Sequence, residues 1–262
     1  MGRTRADSTI GAELEGPAAS RRSSFLARVG SELYVLIVAG VVTGAIVGGI
    51  GSRLAMFVLR VTSPDHVDGL TSDDGFEIGR FTLSGTYNLL IVGAAVGILG
   101  AAAYQWVRPW LIGPKWFRIA TVAMAAGAVV GSMLVHSDGI DFRVLEPMWL
   151  AVALFVVLPA AFAAAVALAV DRVEARITNA TWHWTRWILP VVLVAAFPPV
   201  LMVLAPAAVV LVVWVALRDL PAVRRFGDAV ATGIVVRIAW FGIALLGLIA
   251  LIGDIGDLRA LA

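Results

Sequence analysis

Residues 148–170 read MWLAVALFVVLPAAFAAAVALAV, 23 positions without a charge. Roughly 20 helical residues cross the ~30 Å of hydrocarbon in a bilayer, so a run of this length matches a membrane span. Lipid offers no partner to a backbone N–H or C=O, which leaves helices and closed barrels as the only spanning structures. A barrel strand alternates polar and apolar residues, whereas this block is apolar on every side. The run is therefore a transmembrane helix.

The same pattern recurs along the chain. Apolar blocks predict spans at about 33–52, 86–107, 117–135, 148–170 and 232–253. Residues 187–217 hold 31 uncharged positions broken by Pro198-Pro199 and Pro206. As one straight helix that run would be ~46 Å long, well beyond the hydrocarbon. Proline removes a donor and clashes with the preceding turn, so two short legs meeting at Pro198-Pro199 are favoured. The expected fold is all-α: a polytopic helical bundle of five full spans plus a proline-broken hairpin, about seven membrane helices.

Composition agrees. The chain is 60% hydrophobic and 15% charged, with a mean hydropathy of +0.93, against roughly 45–50% and a quarter in soluble domains. It has no cysteine, which excludes disulfides, thiolate metal sites and cysteine nucleophiles. No basic patch is interleaved with aromatics in a soluble segment, so no nucleic-acid partner is expected.

Arginine placement orients the spans, because cytoplasmic loops collect Lys and Arg. Residues 1–30 carry Arg3, Arg5, Arg21, Arg22 and Arg28 and read as a disordered cytoplasmic tail. Ser20-Arg21-Arg22-Ser23-Ser24-Phe25-Leu26 looks like a twin-arginine export signal. It has one residue too many before Phe-Leu, however, and the apolar run after it is too long for a signal peptide. With the hairpin, the loops at 108–118, 172–186 and 218–225 join the tail inside, placing fourteen of the twenty basic residues there and five outside. A single crossing of 187–217 lowers the contrast to twelve against seven. The expected location is the cell membrane, with the N-terminus cytoplasmic and the tail 254–262 extracytoplasmic. Trp106, Trp110 and Trp116, and Trp182, Trp184 and Trp187, cluster at two cytoplasmic loops, where indole rings settle at headgroup level.

Two outer loops, 61–85 and 136–147, form an expected cap. Within the first, GFEIGRFTL at 75–83 partly alternates and fits a short β-hairpin. Asp65-His66-x-Asp68 and His136-x-Asp138-x-x-Asp141 set imidazoles beside carboxylates. If the loops dock, His66, His136, Asp138 and Asp141 are the candidate ligands for a divalent cation such as zinc or manganese. The spacings match no specific metal signature, no cofactor is otherwise identified, and a solvated loop is the competing reading.

Gly40, Gly44 and Gly48 recur every four residues, as do Gly93 and Gly97, and Ala123, Gly127 and Gly131. Small residues at that spacing let helix backbones approach closely in lipid. Intrachain packing is the expected use, with a homodimer face as the alternative. Gly48-Gly49-Ile50-Gly51-Ser52 also suits a loosened outer end of the first helix. Two charges lie at membrane level. Arg53 falls near the outer interface. Arg237 sits about five residues into the last span, where it snorkels to the headgroups or pairs with Asp171 or Glu174.

Gly51-Ser52-Arg53-Leu54-Ala55-Met56 and Asp138-Gly139-Ile140-Asp141-Phe142, with the general layout, resemble uncharacterised multi-pass membrane proteins of GC-rich bacteria; arginine outnumbers lysine 19 to 1. The resemblance implies no activity. Packing stripes are plentiful and reactive groups scarce, so the leading expectation is a non-enzymatic scaffold, partner subunit or regulator. Its partners are the lipid bilayer and another membrane protein or a second copy. A small-solute transporter or channel using the broken hairpin is the second reading. A membrane-embedded enzyme with an outward-facing metal or histidine site is the third.

Overall fold

The computed structural model describes residues 17–63, 82–135, 147–178, 187–218 and 230–261, with Leu220, Pro221, Val223 and Arg225 between the last two stretches. Among them every regular element is helical and no strand occurs. The helices are α1 (Pro17–Thr43), α2 (Gly51–Thr62), α3 (Leu83–Val107), α4 (Lys115–Leu134), α5 (Met148–Thr178), α6 (Ile188–Ala196), α7 (Leu201–Leu217) and α8 (Val230–Leu261). Six helical stretches are long and apolar enough to cross a membrane: Ser24–Thr62, Leu83–Trp110, Lys115–Leu134, Met148–Ile177, Pro198–Leu217 and Ala231–Leu258. The chain is thus a helical, multi-pass membrane type.

A π-helical stretch, Gly44–Ile50, joins α1 to α2 without a break. Its wider turn brings the Gly51 N–H onto the Ile46 carbonyl, and the Ser52 hydroxyl donates to the Gly48 carbonyl. Residues that back-bond this way suit a helix whose regular ladder is disturbed. α3 begins at Thr82, which is extended and accepts the Gly85 N–H on its hydroxyl at 3.2 Å, an N-cap in the usual sense. It ends in a 3-10 turn, Arg108–Trp110, containing Pro109. Gly113, at φ +91°, then makes the left-handed step that a side chain resists, and α4 starts after Pro114.

Contacts at the helix ends order the bundle. Trp187, before α6, sets its ring edge-on to Tyr34, 6.3 Å between centroids. Arg218, after α7, reaches Glu32 at 3.4 Å. Between them, the Ala196 carbonyl accepts the Tyr87 hydroxyl at 2.9 Å, and Phe197 stacks on Tyr87. Tyr87 lies near the start of α3, at the opposite end of the bundle from Glu32 and Tyr34. The chain therefore runs along the bundle through α6, reverses at the Pro198–Val200 3-10 turn and returns through α7. The legs are unequal, about 13 Å and 25 Å at 1.5 Å per residue.

α1 is the hub. Leu36, Ile37 and Val41 pack with Ala94 and Ile98 of α3 and with Val200, Leu204, Leu211 and Val215. Val35 and Ala39 pack with Ala101, Val122, Val166 and Val170. α8 lies outermost, meeting α4 where Gly247 faces Val129, with Leu251 and Leu258 against Leu59, Val135 and Ala151.

Three boundaries differ from the sequence expectation. Helix already begins at Pro17, inside the expected tail 1–30, because Ala18, Ala19, Arg21 and Arg22 favour helix and proline suits its first position; residues 1–16 lie outside the described residues. α5 runs eight residues past Val170 to Thr178. α8 likewise continues through the expected tail 254–262 to Leu261, with Leu258 buried against Leu59. The expected β-hairpin lies almost wholly outside the described residues; of its positions, Leu83 opens α3.

Candidate functional site

The helical continuation of α5 has a consequence for charge. Asp171 and Glu174, three apart, share one face of α5, as Tyr104 and Arg108, four apart, share one face of α3. The first turn of α4 adds Lys115 and Arg118. These three helix ends meet.

Arg108 grips the Glu174 carboxylate with both terminal nitrogens, Nη2 at 3.0 Å from Oε1 and Nη1 in short contact with Oε2. A forked guanidinium–carboxylate pair is geometrically specific as well as strong. Arg108 Nη1 also lies 3.6 Å from Asp171, whose second oxygen takes the Lys115 ammonium at 3.1 Å. The Tyr104 hydroxyl donates to Asp171 at 3.3 Å. Asp171 is thus surrounded by one hydroxyl and two cations. Its side chain is 12% exposed, against 53% for Lys115, so the carboxylate is the sheltered member of the pair. Lys115 stands at the positive end of the α4 dipole, where a cation is disfavoured, and Asp171 offsets that. The cluster holds α3, α4 and α5 together at one end of the bundle.

Arg237 makes a different contact. Its Nε donates to the Trp110 carbonyl at 3.0 Å, in the turn that closes α3, where carbonyls lack intrahelical partners. Of the two readings of Arg237, the alternative pairing with Asp171 or Glu174 is corrected: among the described residues those carboxylates meet Arg108 and Lys115. Near Arg237, α8 packs on α4 and on the Arg108–Trp110 turn, so a turn carbonyl is what the guanidinium meets. Arg53, at the other end of the bundle, lays its guanidinium against Gly85, where an added Cβ would sit 2.5 Å from Nη2.

The glycines bring backbones together. A Cβ at Gly40 would lie 2.8 Å from the Ile98 Cα and 2.9 Å from the Gly97 oxygen. A Cβ added at Gly44 would fall on the Gly93 carbonyl, and one at Gly48 would lie 3.1 Å from the Gly93 Cα. Gly127 and Gly131 instead face Val156 of α5. His66, His136, Asp138 and Asp141 lie outside the described residues, as do Trp182 and Trp184. Among the described residues no three His, Cys, Asp or Glu side chains gather to hold a metal ion.

No protein-family model, curated protein or solved structure matches the chain. The site must therefore be read from its own chemistry.

Sequence reasoning missed Tyr104, Arg108 and Lys115 as a unit with Asp171 and Glu174. The available signal was their i, i+3 and i, i+4 spacing just beyond three apolar runs that abut the same side.

Proposed function

We propose that the chain is a non-enzymatic membrane scaffold or partner subunit. The observation that carries this is how its described polar groups are used: they join helix to helix. The Arg108 cluster ties α3, α4 and α5, Glu32–Arg218 ties α1 to α7, and Tyr87 ties α3 to the hairpin tip. Clamps at both ends of a glycine-packed pair suit a rigid frame on which another membrane protein assembles. After crosslinking in membranes and purification in mild detergent, the protein is expected in a discrete complex larger than its own 27.6 kDa. Recovery as a monomer that conducts solute in liposomes, with flux abolished by Pro198→Ala and Pro199→Ala, would reject this in favour of transport. That second reading is supported by the π-helical stretch and the proline-broken hairpin, two irregular elements of the kind transporters use.

In the proposed topology the cytoplasmic membrane is crossed five times, and α6–α7 enters and leaves from the cytosol. The arginine distribution supports a cytosolic Arg108 cluster and Arg218, with the end of α8 outside. The absence of native cysteine makes this directly testable. An impermeant maleimide is expected to label Ala260→Cys in intact cells, and Leu220→Cys only after permeabilisation. The reverse pattern, Leu220→Cys labelled in intact cells and Ala260→Cys not, rejects this topology and is what a single crossing of 187–217 gives. Labelling of both in intact cells rejects the crossing by α8.

A further inference from the structure

Between α4, α8 and the turn after α3 lies a cavity of about 290 Å³, lined by apolar side chains together with Trp110, Thr121, Arg237 and Trp240. A second hollow, about 430 Å³, runs along α8 past Ile234, Ile238, Phe241, Gly242 and Leu245. Arg237 and Phe241 line both.

Three features specify an occupant. First, Arg237 uses Nε on the Trp110 carbonyl, and its two terminal nitrogens make no hydrogen bond or ion pair among the described residues. The backbone contact holds the fork in place while leaving it free for an anion. Second, the Trp240 indole Nε1 is buried and makes no hydrogen bond among the described residues. A buried donor without an acceptor is costly, and Trp240 lines the same cavity as Arg237. Third, the hollow on α8 is apolar, and a Cβ at Gly242 would meet nothing within 4 Å, so the helix surface is notched there. The ligand thus has an anionic, acceptor-rich head and an apolar tail. It meets the protein beside Trp106 and Trp110, whose rings pack edge-on at 5.6 Å, as tryptophans do at headgroup level. Basic pockets between transmembrane helices bind lipid phosphates on the same physical grounds.

We propose that this cavity holds the phosphate of an anionic phospholipid, with Arg237 and Trp240 as donors and one acyl chain lying in the Gly242 notch. A zwitterionic lipid carries its own cation beside the phosphate and gains less from Arg237. A free phosphate lacks the tail that fills the groove.

The test uses the full chain, delipidated in detergent and offered dioleoyl phosphatidylglycerol or dioleoyl phosphatidylcholine, with retained lipid counted by native mass spectrometry. One phosphatidylglycerol is expected to be retained in preference to phosphatidylcholine. Arg237→Ala is expected to weaken its retention about tenfold, the worth of a charge-assisted hydrogen bond. Trp240→Phe keeps the aromatic bulk, removes only the Nε1 donor, and is expected to weaken retention several-fold. Inorganic phosphate or glycerol phosphate at equal concentration is expected not to displace the lipid. Equal retention of the two lipids overturns the proposal, as does displacement by phosphate alone. So does wild-type retention by Arg237→Ala or, should that variant fail to fold, by Trp240→Phe.

Discussion

Gly97→Ala, the addition of one methyl group, is expected to lower the melting temperature in detergent sharply, and Gly97→Leu to prevent accumulation of folded protein. The new Cβ would fall on the Gly40 carbonyl oxygen and 2.8 Å from the Gly44 Cα. Both obstacles are backbone, so no side chain can rotate away, and relief requires α1 and α3 to move apart along the seam. That movement would loosen Gly44 from Gly93 and pull Leu36, Val41 and Ile98 out of their shared cluster. Overpacking a tight interior costs about 1–3 kcal/mol and occasionally more, and here it acts on the central helix. Gly253→Ala supplies the control: nothing lies within 4 Å of its added Cβ, and alanine favours helix over glycine by about 1 kcal/mol. Thermal unfolding of the two variants beside wild type checks the point. A Gly97→Ala protein that melts like Gly253→Ala would mean the two backbones are not in contact.

Arg108→Ala is expected to be the most damaging single change at the charged end of the bundle. It removes both forked contacts from Glu174 and one of the two cations beside Asp171, whose side chain is only 12% exposed. Breaking a buried ion pair by removing one partner costs about 3–5 kcal/mol where burial is complete. Because Arg108 and Glu174 are 29% and 44% exposed, solvent screening brings the expectation down to about 2 kcal/mol. Lys115→Ala removes an ammonium that is half in water and is expected to cost less than about 1 kcal/mol. The double variant Arg108→Met with Glu174→Met is expected to recover much of the loss, since it removes a charge pair rather than half of one. A double-mutant cycle read by thermal or denaturant unfolding measures that coupling. Additive losses would show that the fork contributes nothing beyond its parts.

The helical membrane class was legible because hydropathy reports the solvent of each helix directly. Helix length was not. Asp171 and Asp254 mark where oil gives way to water, but the backbone ladder needs no oil to continue, and α5 and α8 extend past both. The glycine spacing identified faces without naming what they face. Gly40 and Gly44 meet Gly97 and Gly93, whereas Gly127 and Gly131 meet Val156, a choice set by the rotation of whole helices. The same rotation separates the true partners of Asp171 from Arg237. In sequence, Arg108, Lys115 and Arg237 are equivalent cations near the same surface. Only the docking of α8 against the turn at Trp110 turns Arg237 away from the carboxylates. For the reversal at Pro198-Pro199, proline chemistry pointed to a break, and Tyr34, Glu32 and Tyr87 supply the contacts that define its ends.

The seven-residue π stretch has a bearing on angular phase. A helix of uniform pitch advances every side chain by a constant angle, so its two halves share one wheel. Between Gly44 and Ile50 the advance per residue is smaller, and every side chain from Gly51 to Thr62 is turned relative to the wheel drawn over α1. The azimuth that aims Arg53 at Gly85 and Leu59 at Val135 and Leu258 is set there. Gaining or losing one residue in this segment would therefore swing the whole C-terminal half of the helix about its axis while leaving the N-terminal half seated. The length of the stretch acts as a dial for that orientation.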